Sequence, residues 1–210
     1  MPSNKYYVPD IVMPGYLLAF RGKTFLSKLI MVLSPGVSHA ETIAHNIDND
    51  ELESFSAIHT GTRFIDVESV IRNAKGSVYL LQLRQEVIDK MEMGLFNALI
   101  TDLDNVPYDV LHFIGTGVDD WHINLLKYIP KFPKWVLRLL KGMFHNSPTV
   151  KKVVCSSVYA WAMKQALNLS INPSEQTPLD ICQWNIFEPN YITLKGKDKG
   201  IKKYNTVGVL

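Results

Sequence analysis

Two side chains in this chain have the chemistry of a nucleophile and its base, a cysteine at 155 and a histidine at 39. Cys155 follows Val153-Val154 and precedes Ser156-Ser157, after which Val158, Trp161, Ala162, Ala166 and Leu169 recur at the spacing of one apolar helix face. That pattern predicts a helix beginning beside the cysteine. A thiol at a helix N-terminus faces unpaired backbone N–H groups and the positive end of the helix dipole, which stabilise a thiolate and depress its pKa. The same amides are donors for an oxyanion. His39 lies between Ser38 and Ala40 in a predicted strand, where period-two alternation sets it on one face with Val37 and Glu41. A strand histidine beside such a cysteine can take its proton, provided a third polar group fixes the imidazole. Taken singly, each has a plainer reading: a lone cysteine is most often a buried, inert thiol, and one histidine among six is most often a satisfied or exposed polar residue. Cys182, inside Thr177-Pro178-Leu179-Asp180-Ile181-Cys182, has only the plainer one.

The elements that must position this pair are legible from periodicity. Tyr16 to Phe20, between Pro14-Gly15 and Arg21-Gly22, is a short apolar run between turn signals and reads as a buried strand. Residues 23–33 place Phe25, Leu26, Leu29, Ile30 and Leu33 at helical spacing, and Ser34-Pro35-Gly36 ends that helix. Val37 to Ala44 and Leu52 to Ile58 predict two strands joined across the polar turn Asn46–Asp50, a hairpin. Ser77 to Arg84 predicts a further strand, Glu86 to Leu103 an amphipathic helix, and Tyr191 to Leu194 a late strand. The lysine- and glycine-rich tail from Lys195 is expected to be loosely held. There is no internal repeat and no low-complexity tract.

With 210 residues, 47% of them hydrophobic and 20% charged, the chain suits one globular domain, 1–210, with a helical insertion at about 107–146. A formal net charge of +2 and the absence of any long run of like charges argue against a nucleic-acid partner. The two cysteines lack the close spacing of a metal knuckle or redox pair, so they are expected as thiols in a reducing compartment rather than as a disulfide. Met1 to Asp10 lacks the basic start and apolar core of a signal peptide, and every apolar stretch is interrupted well before the roughly 18 residues of a membrane span. A cytoplasmic protein, or one peripheral at a membrane surface, is expected. No metal-ligand cluster and no phosphate-cradling glycine loop is present in the sequence, so no cofactor is expected.

An ordered set of short motifs joins these landmarks. Pro14-Gly15-Tyr16-Leu17-Leu18-Ala19-Phe20-Arg21-Gly22, then Val37-Ser38-His39-Ala40, Leu52-Glu53-Ser54, Pro107-Tyr108-Asp109 and Val154-Cys155-Ser156-Ser157 together resemble the YaeF/YiiX type of permuted papain-like amidase, within the NlpC-like cysteine peptidase superfamily. In ordinary papain-like enzymes the cysteine helix precedes the histidine strand. The permuted branch has the histidine first, a polar residue on the following strand and the cysteine late, which is the order here. The resemblance covers about residues 12–188 and implies an α+β, circularly permuted papain-like fold, an antiparallel half-barrel sheet packed on the nucleophile helix. It implies Cys155 as nucleophile, His39 as the base that later protonates the leaving group, and Glu53 as the residue that orients the imidazole. Glu51, two residues away, and Glu41, on the His39 face, are the alternatives for that third role. Tyr108, Ser156 and Ser38 are implied to line the substrate site. Two positions depart from the family pattern: Tyr16 stands where an aspartate commonly follows the glycine, and Glu41 where a small residue is common after the histidine.

The implied activity is cysteine-dependent hydrolysis of an amide bond in a peptide, amino-acid or lipid-linked substrate through an acyl-enzyme on Cys155, with acyl transfer as its variant. The competing expectation is a papain-like module that binds a peptide, amino acid or lipid without turnover. A third comes from Trp121 to His145, where Lys127, Lys131, Lys134, Arg138 and Lys141 interleave with large apolar residues. That composition suits a helix lying on anionic lipid through residues 121–146, although lysine stems also commonly cover the solvent face of a core helix.

Overall fold

A computed structural model describes residues 12–24, 27–28, 31, 36–58, 61–106, 155–198, 200–201 and 208–209. The expected insertion at 107–146, Tyr108 and the basic aromatic segment 121–146 lie outside the described residues. So does most of the helix expected over 23–33, of which Ser27, Lys28 and Met31 are described and helical.

The fold is α+β, built on a six-stranded antiparallel sheet. In chain order the elements are β1 (Leu17–Gly22), β2 (His39–Asn46), β3 (Glu51–Ile58), β4 (Gly61–Asp66), α1 (Val67–Asn73), β5 (Gly76–Leu81), α2 (Gln85–Ile88), α3 (Met93–Thr101), α4 (Cys155–Leu167), a 3-10 turn (Pro173–Glu175), α5 (Pro178–Cys182) and β6 (Ile192–Lys195). The spatial order β4-β3-β2-β1-β5-β6 places β2 and β1 in the middle. Both central strands are buried on both faces, which explains why β1 reads as an unbroken apolar run, Leu17-Leu18-Ala19-Phe20, rather than as an alternation.

The β2–β3 hairpin forms as its sequence predicts, with Asp50 at φ 61° closing the turn. The β4 strand and α1 carry weaker signals. Gly61-Thr62-Arg63-Phe64-Ile65 is too short and mixed to stand out, yet it pairs with β3 over its whole length, and Asp66 then caps α1 by accepting from the Ser69 N–H. The amphipathic pattern from Glu86 to Leu103 is two helices rather than one. Met91 N–H bonds back to the Val87 and Ile88 carbonyls and closes α2, while Glu92 N–H leaves the helix path for the Ala166 carbonyl at the end of α4. Tertiary docking of that corner, with Met91 buried, overrides the local periodicity.

The described part of the tail is tied down, contrary to the expectation from its composition. Lys195 Nζ donates to the carbonyls of Ile71, Arg72 and Ala74 at 3.1, 2.7 and 2.7 Å, supplying the partners that the end of α1 needs. Ser77 Oγ donates to the Lys197 carbonyl, and Ile201 is buried.

Helix α4 packs on β2, β3 and α3. Its inward side consists of Cys155, Ser156, Val158, Tyr159, Ala160, Ala162, Met163 and Ala166. The small residues let the helix sit close to the sheet, and Tyr159 fixes its register: the fully buried phenol donates to the Gly15 carbonyl at 2.9 Å and packs against Phe96, Trp184 and Phe187. Gly15 adopts φ 85°, a conformation glycine takes without a Cβ penalty, and its N–H bonds the Ile43 carbonyl. The turn before β1 therefore touches both β2 and α4.

Candidate active site

Strand β2 begins with His39-Ala40-Glu41, and its neighbours treat this end unequally. On one side the pairing with β1 runs through Ala19↔Ala40 to Phe20↔His39. On the other side the pairing with β3 starts only at Thr42↔Phe55. The N–H of Ile43 points toward β1, to the Tyr16 carbonyl, and successive N–H groups alternate sides, so the N–H of Ala40 points toward β3, where the ladder has not begun. Helix α4 brings Cys155 to that opening. Its sulfur accepts from the backbone N–H of Ala40 and from that of Ser156 at the start of the helix, and lies within hydrogen-bond reach of the His39 ring.

The far side of the imidazole is also engaged. His39 Nε2 stands 3.0 Å from Glu41 Oε1, which leaves Nδ1 as the ring nitrogen for the sulfur. Phe20, directly opposite His39 on β1, sets its ring 5.5 Å from the imidazole at 43° and walls off one side. The His39 side chain keeps 24% of its surface exposed while that of Glu41 keeps 7%, so the ring stays accessible while its partner does not.

Electrostatics follow from this packing. Burial works against an ionised Cys155, but the charge and hydrogen bond of His39, with the Ala40 and Ser156 N–H groups, outweigh it and hold the thiol below its ordinary pKa. Burial likewise works against the imidazolium. The negative sulfur first, and Glu41 second, outweigh that penalty and push His39 up to about 10. Glu41, also opposed by burial, is held below its ordinary range by His39 and by hydrogen bonds from Ser54 and Ser56. Both shifts favour a thiolate–imidazolium pair backed by a carboxylate, a set of groups with the chemistry to attack an electrophilic carbonyl and to deliver a proton to a departing group.

The sequence expectations fare unequally. Cys155, at the first turn of α4, and His39, at the first residue of β2, are brought together. Glu53 is not at the imidazole: its Oε2 accepts from Asn46 Nδ2 at 2.8 Å and Asn49 Nδ2 at 3.2 Å, at the hairpin's closed end. The reason is parity. Glu41 shares its face with the even-numbered Ser54 and Ser56 of β3, both of which bond it, and Glu53, one residue off, points to the other face. Glu51 is exposed at the turn. Glu41 is the carboxylate on His39.

Ser38 does not present its hydroxyl to the site. It donates to the Phe20 carbonyl at 3.0 Å and accepts from the Gly22 N–H at 2.9 Å, so it clips the end of β1 to β2. Ser156 is buried beside the thiol, with its N–H aimed at the sulfur. Cys182 is buried in α5 and belongs to the apolar core; the described cysteines form no disulfide.

Sequence reasoning passed over Ser54 and Ser56 as site residues. Their signal was present: two small hydroxyl residues alternate with Phe55 and Ala57, which sets both on one face of the strand, and in the fold both are 0% exposed. A fully buried hydroxyl needs a partner, and an alternating pair implies one shared partner. Among the described residues, no group of three or more histidine, cysteine, aspartate or glutamate side chains is arranged to hold a metal ion. No described helix is long and apolar enough to cross a membrane. In comparisons with known proteins, no family model matches the sequence, and no curated protein does.

Proposed function

We propose that this chain is a cysteine-dependent amidase or peptidase with a circularly permuted papain-like (NlpC-like) fold, acting on a peptide or lipid-linked substrate through an acyl-enzyme on Cys155. One observation carries the reading: a thiol at a helix start meets a histidine whose other nitrogen is 3.0 Å from a buried carboxylate. The chain order supports it as well, since the histidine strand precedes the cysteine helix.

In this reading the Cys155 thiolate attacks the carbonyl carbon, and the oxygen takes up the electron pair. Collapse of the tetrahedral intermediate expels the amine, which leaves with the His39 Nδ1 proton. The neutral imidazole then removes a proton from water as it attacks the thioester, and collapse releases the acid and restores the thiolate and imidazolium. Glu41 keeps the Nε2 proton in place throughout, so that Nδ1 is always the nitrogen that exchanges protons.

The test is the pH dependence of iodoacetamide alkylation, with Cys182 in the same molecule as reference, followed by a panel of amide and ester substrates. Cys155 is expected to react on the order of tenfold or more faster than Cys182 at pH 7, because an ordinary thiol is only a few per cent ionised there. Equal rates for the two cysteines in the folded protein would falsify the enzyme reading and favour a binding module.

A further inference from the structure

Two fully buried hydroxyls aim at one carboxylate. Ser54 Oγ donates to Glu41 Oε2 at 2.7 Å, and Ser56 Oγ donates to Glu41 Oε1 at 2.7 Å. Oε1 also faces His39 Nε2 at 3.0 Å, and Ser56 Oγ lies 3.5 Å from the same nitrogen. Register explains the convergence. Ile43 pairs with Ser54, so continuing the ladder sets Glu41 opposite Ser56 with Ser54 on the diagonal, all on one face. Both serines are 0% exposed, so their hydroxyl protons have no water to compete for them.

We propose that Ser54 and Ser56 are positioning residues that keep Glu41 ionised and its carboxylate plane fixed, and that the Cys155–His39 pair depends on them for its protonation state. This rests on the enzyme reading above and deepens it. The two hydroxyls matter most after acylation. His39 has then given up a proton, and the positive charge that helped ionise Glu41 is gone. A buried carboxylate left alone would take up a proton, become a donor to Nε2 and favour the tautomer with hydrogen on Nδ1, which cannot accept a proton from water. Two serine donors keep the carboxylate an acceptor, so hydrogen stays on Nε2 and Nδ1 stays basic.

Among the described residues, the titratable groups facing Glu41 are few. His39 shares its strand, and Cys155 comes from α4. β3 contributes only the two serines, and β1 contributes Leu18 and Phe20, opposite Glu41 and His39. On β4, Arg63 stands opposite Ser56 and is exposed.

The experiment compares full-length wild type with Ser54→Ala, Ser56→Ala, the double variant and Ser56→Thr, all by the pH profile of Cys155 alkylation against Cys182, with thermal melts as a folding control. The acid midpoint of Cys155 alkylation is expected to rise, with Cys155 reacting about threefold slower on the acid limb for each single variant and about tenfold slower for the double, and with threonine restoring most of the loss. An unchanged midpoint in the folded single variants overturns the proposal while leaving the enzyme reading intact. A wild-type Cys155 no more reactive than Cys182 overturns both. Should the double variant not fold, the singles decide alone.

Discussion

The two ends of the β2–β3 hairpin each hold a glutamate, and the contrast between them separates structure from chemistry. At the closed end, Glu53 accepts from Asn46 and Asn49 and braces a polar turn in contact with solvent. At the open end, where the ladder has not begun, Glu41 is buried and accepts from His39, Ser54 and Ser56. Residue type, hairpin and net charge are the same. What differs is strand parity and the gap between strands: one carboxylate faces side-chain amides at the turn, the other the imidazole beside Cys155.

The sharpest way to break this contrast is at the imidazole. His39→Ala should raise the Cys155 thiol toward the ordinary value of about 8.5 and slow its alkylation at pH 6 on the order of a hundredfold. Rates unchanged from wild type would mean that the open end has no special chemistry. Next in size is the pair of glutamate variants. Glu41→Gln is expected to lower turnover about a hundredfold, whereas Glu53→Gln should stay within about twofold. Equal losses from the two, measured as kcat/KM on a substrate from the panel, would collapse the distinction.

Stability sharpens it further. Removing the Glu41 carboxylate by Glu41→Ala leaves two buried hydroxyls without their acceptor and the part-buried His39 ring without one of its partners, at a cost of about 3 kcal/mol. Glu53→Ala loses the hydrogen bonds from Asn46 and Asn49 at the turn and should cost about 1 kcal/mol or less, both read from urea melts. The pH dependence has a definite sign. Glu41 is depressed, so its contribution to stability is present above its unfolded pKa and is lost as pH falls through the folded one. His39 is raised to about 10, so its contribution is complete below its unfolded pKa and is lost as pH rises toward 10. Alkylation of Cys155 should therefore lose its histidine dependence near pH 10, the smallest of these effects because the thiol is by then ionised without help.

Much of the fold was legible because it rests on local rules. β1, the β2–β3 hairpin, the helix at Cys155 and the late strand follow from apolar runs, turn residues and period, which depend on a few neighbouring side chains. The single helix expected over 86–103 divides at Met91 because α4 offers the Ala166 carbonyl to Glu92, a partner 74 residues away that no local window contains. The tail from Lys195 looked unheld for the same reason, since the carbonyls that its lysine caps belong to α1.

The site divides along the same line. Sequence alone determined that a cysteine would open a helix and that a histidine would sit on a strand with Glu41 on its face, because helix starts and strand alternation are short-range properties. Only the tertiary structure decided that these two elements meet, and that Glu41 rather than Glu53 is the carboxylate on His39, with two serines behind it. Shifting a strand by one residue reverses every side chain on it, so the choice between two nearby glutamates depends on the register between β2 and β3 and on where that ladder stops. Register belongs to a pair of strands, and a single strand's sequence carries only half of it.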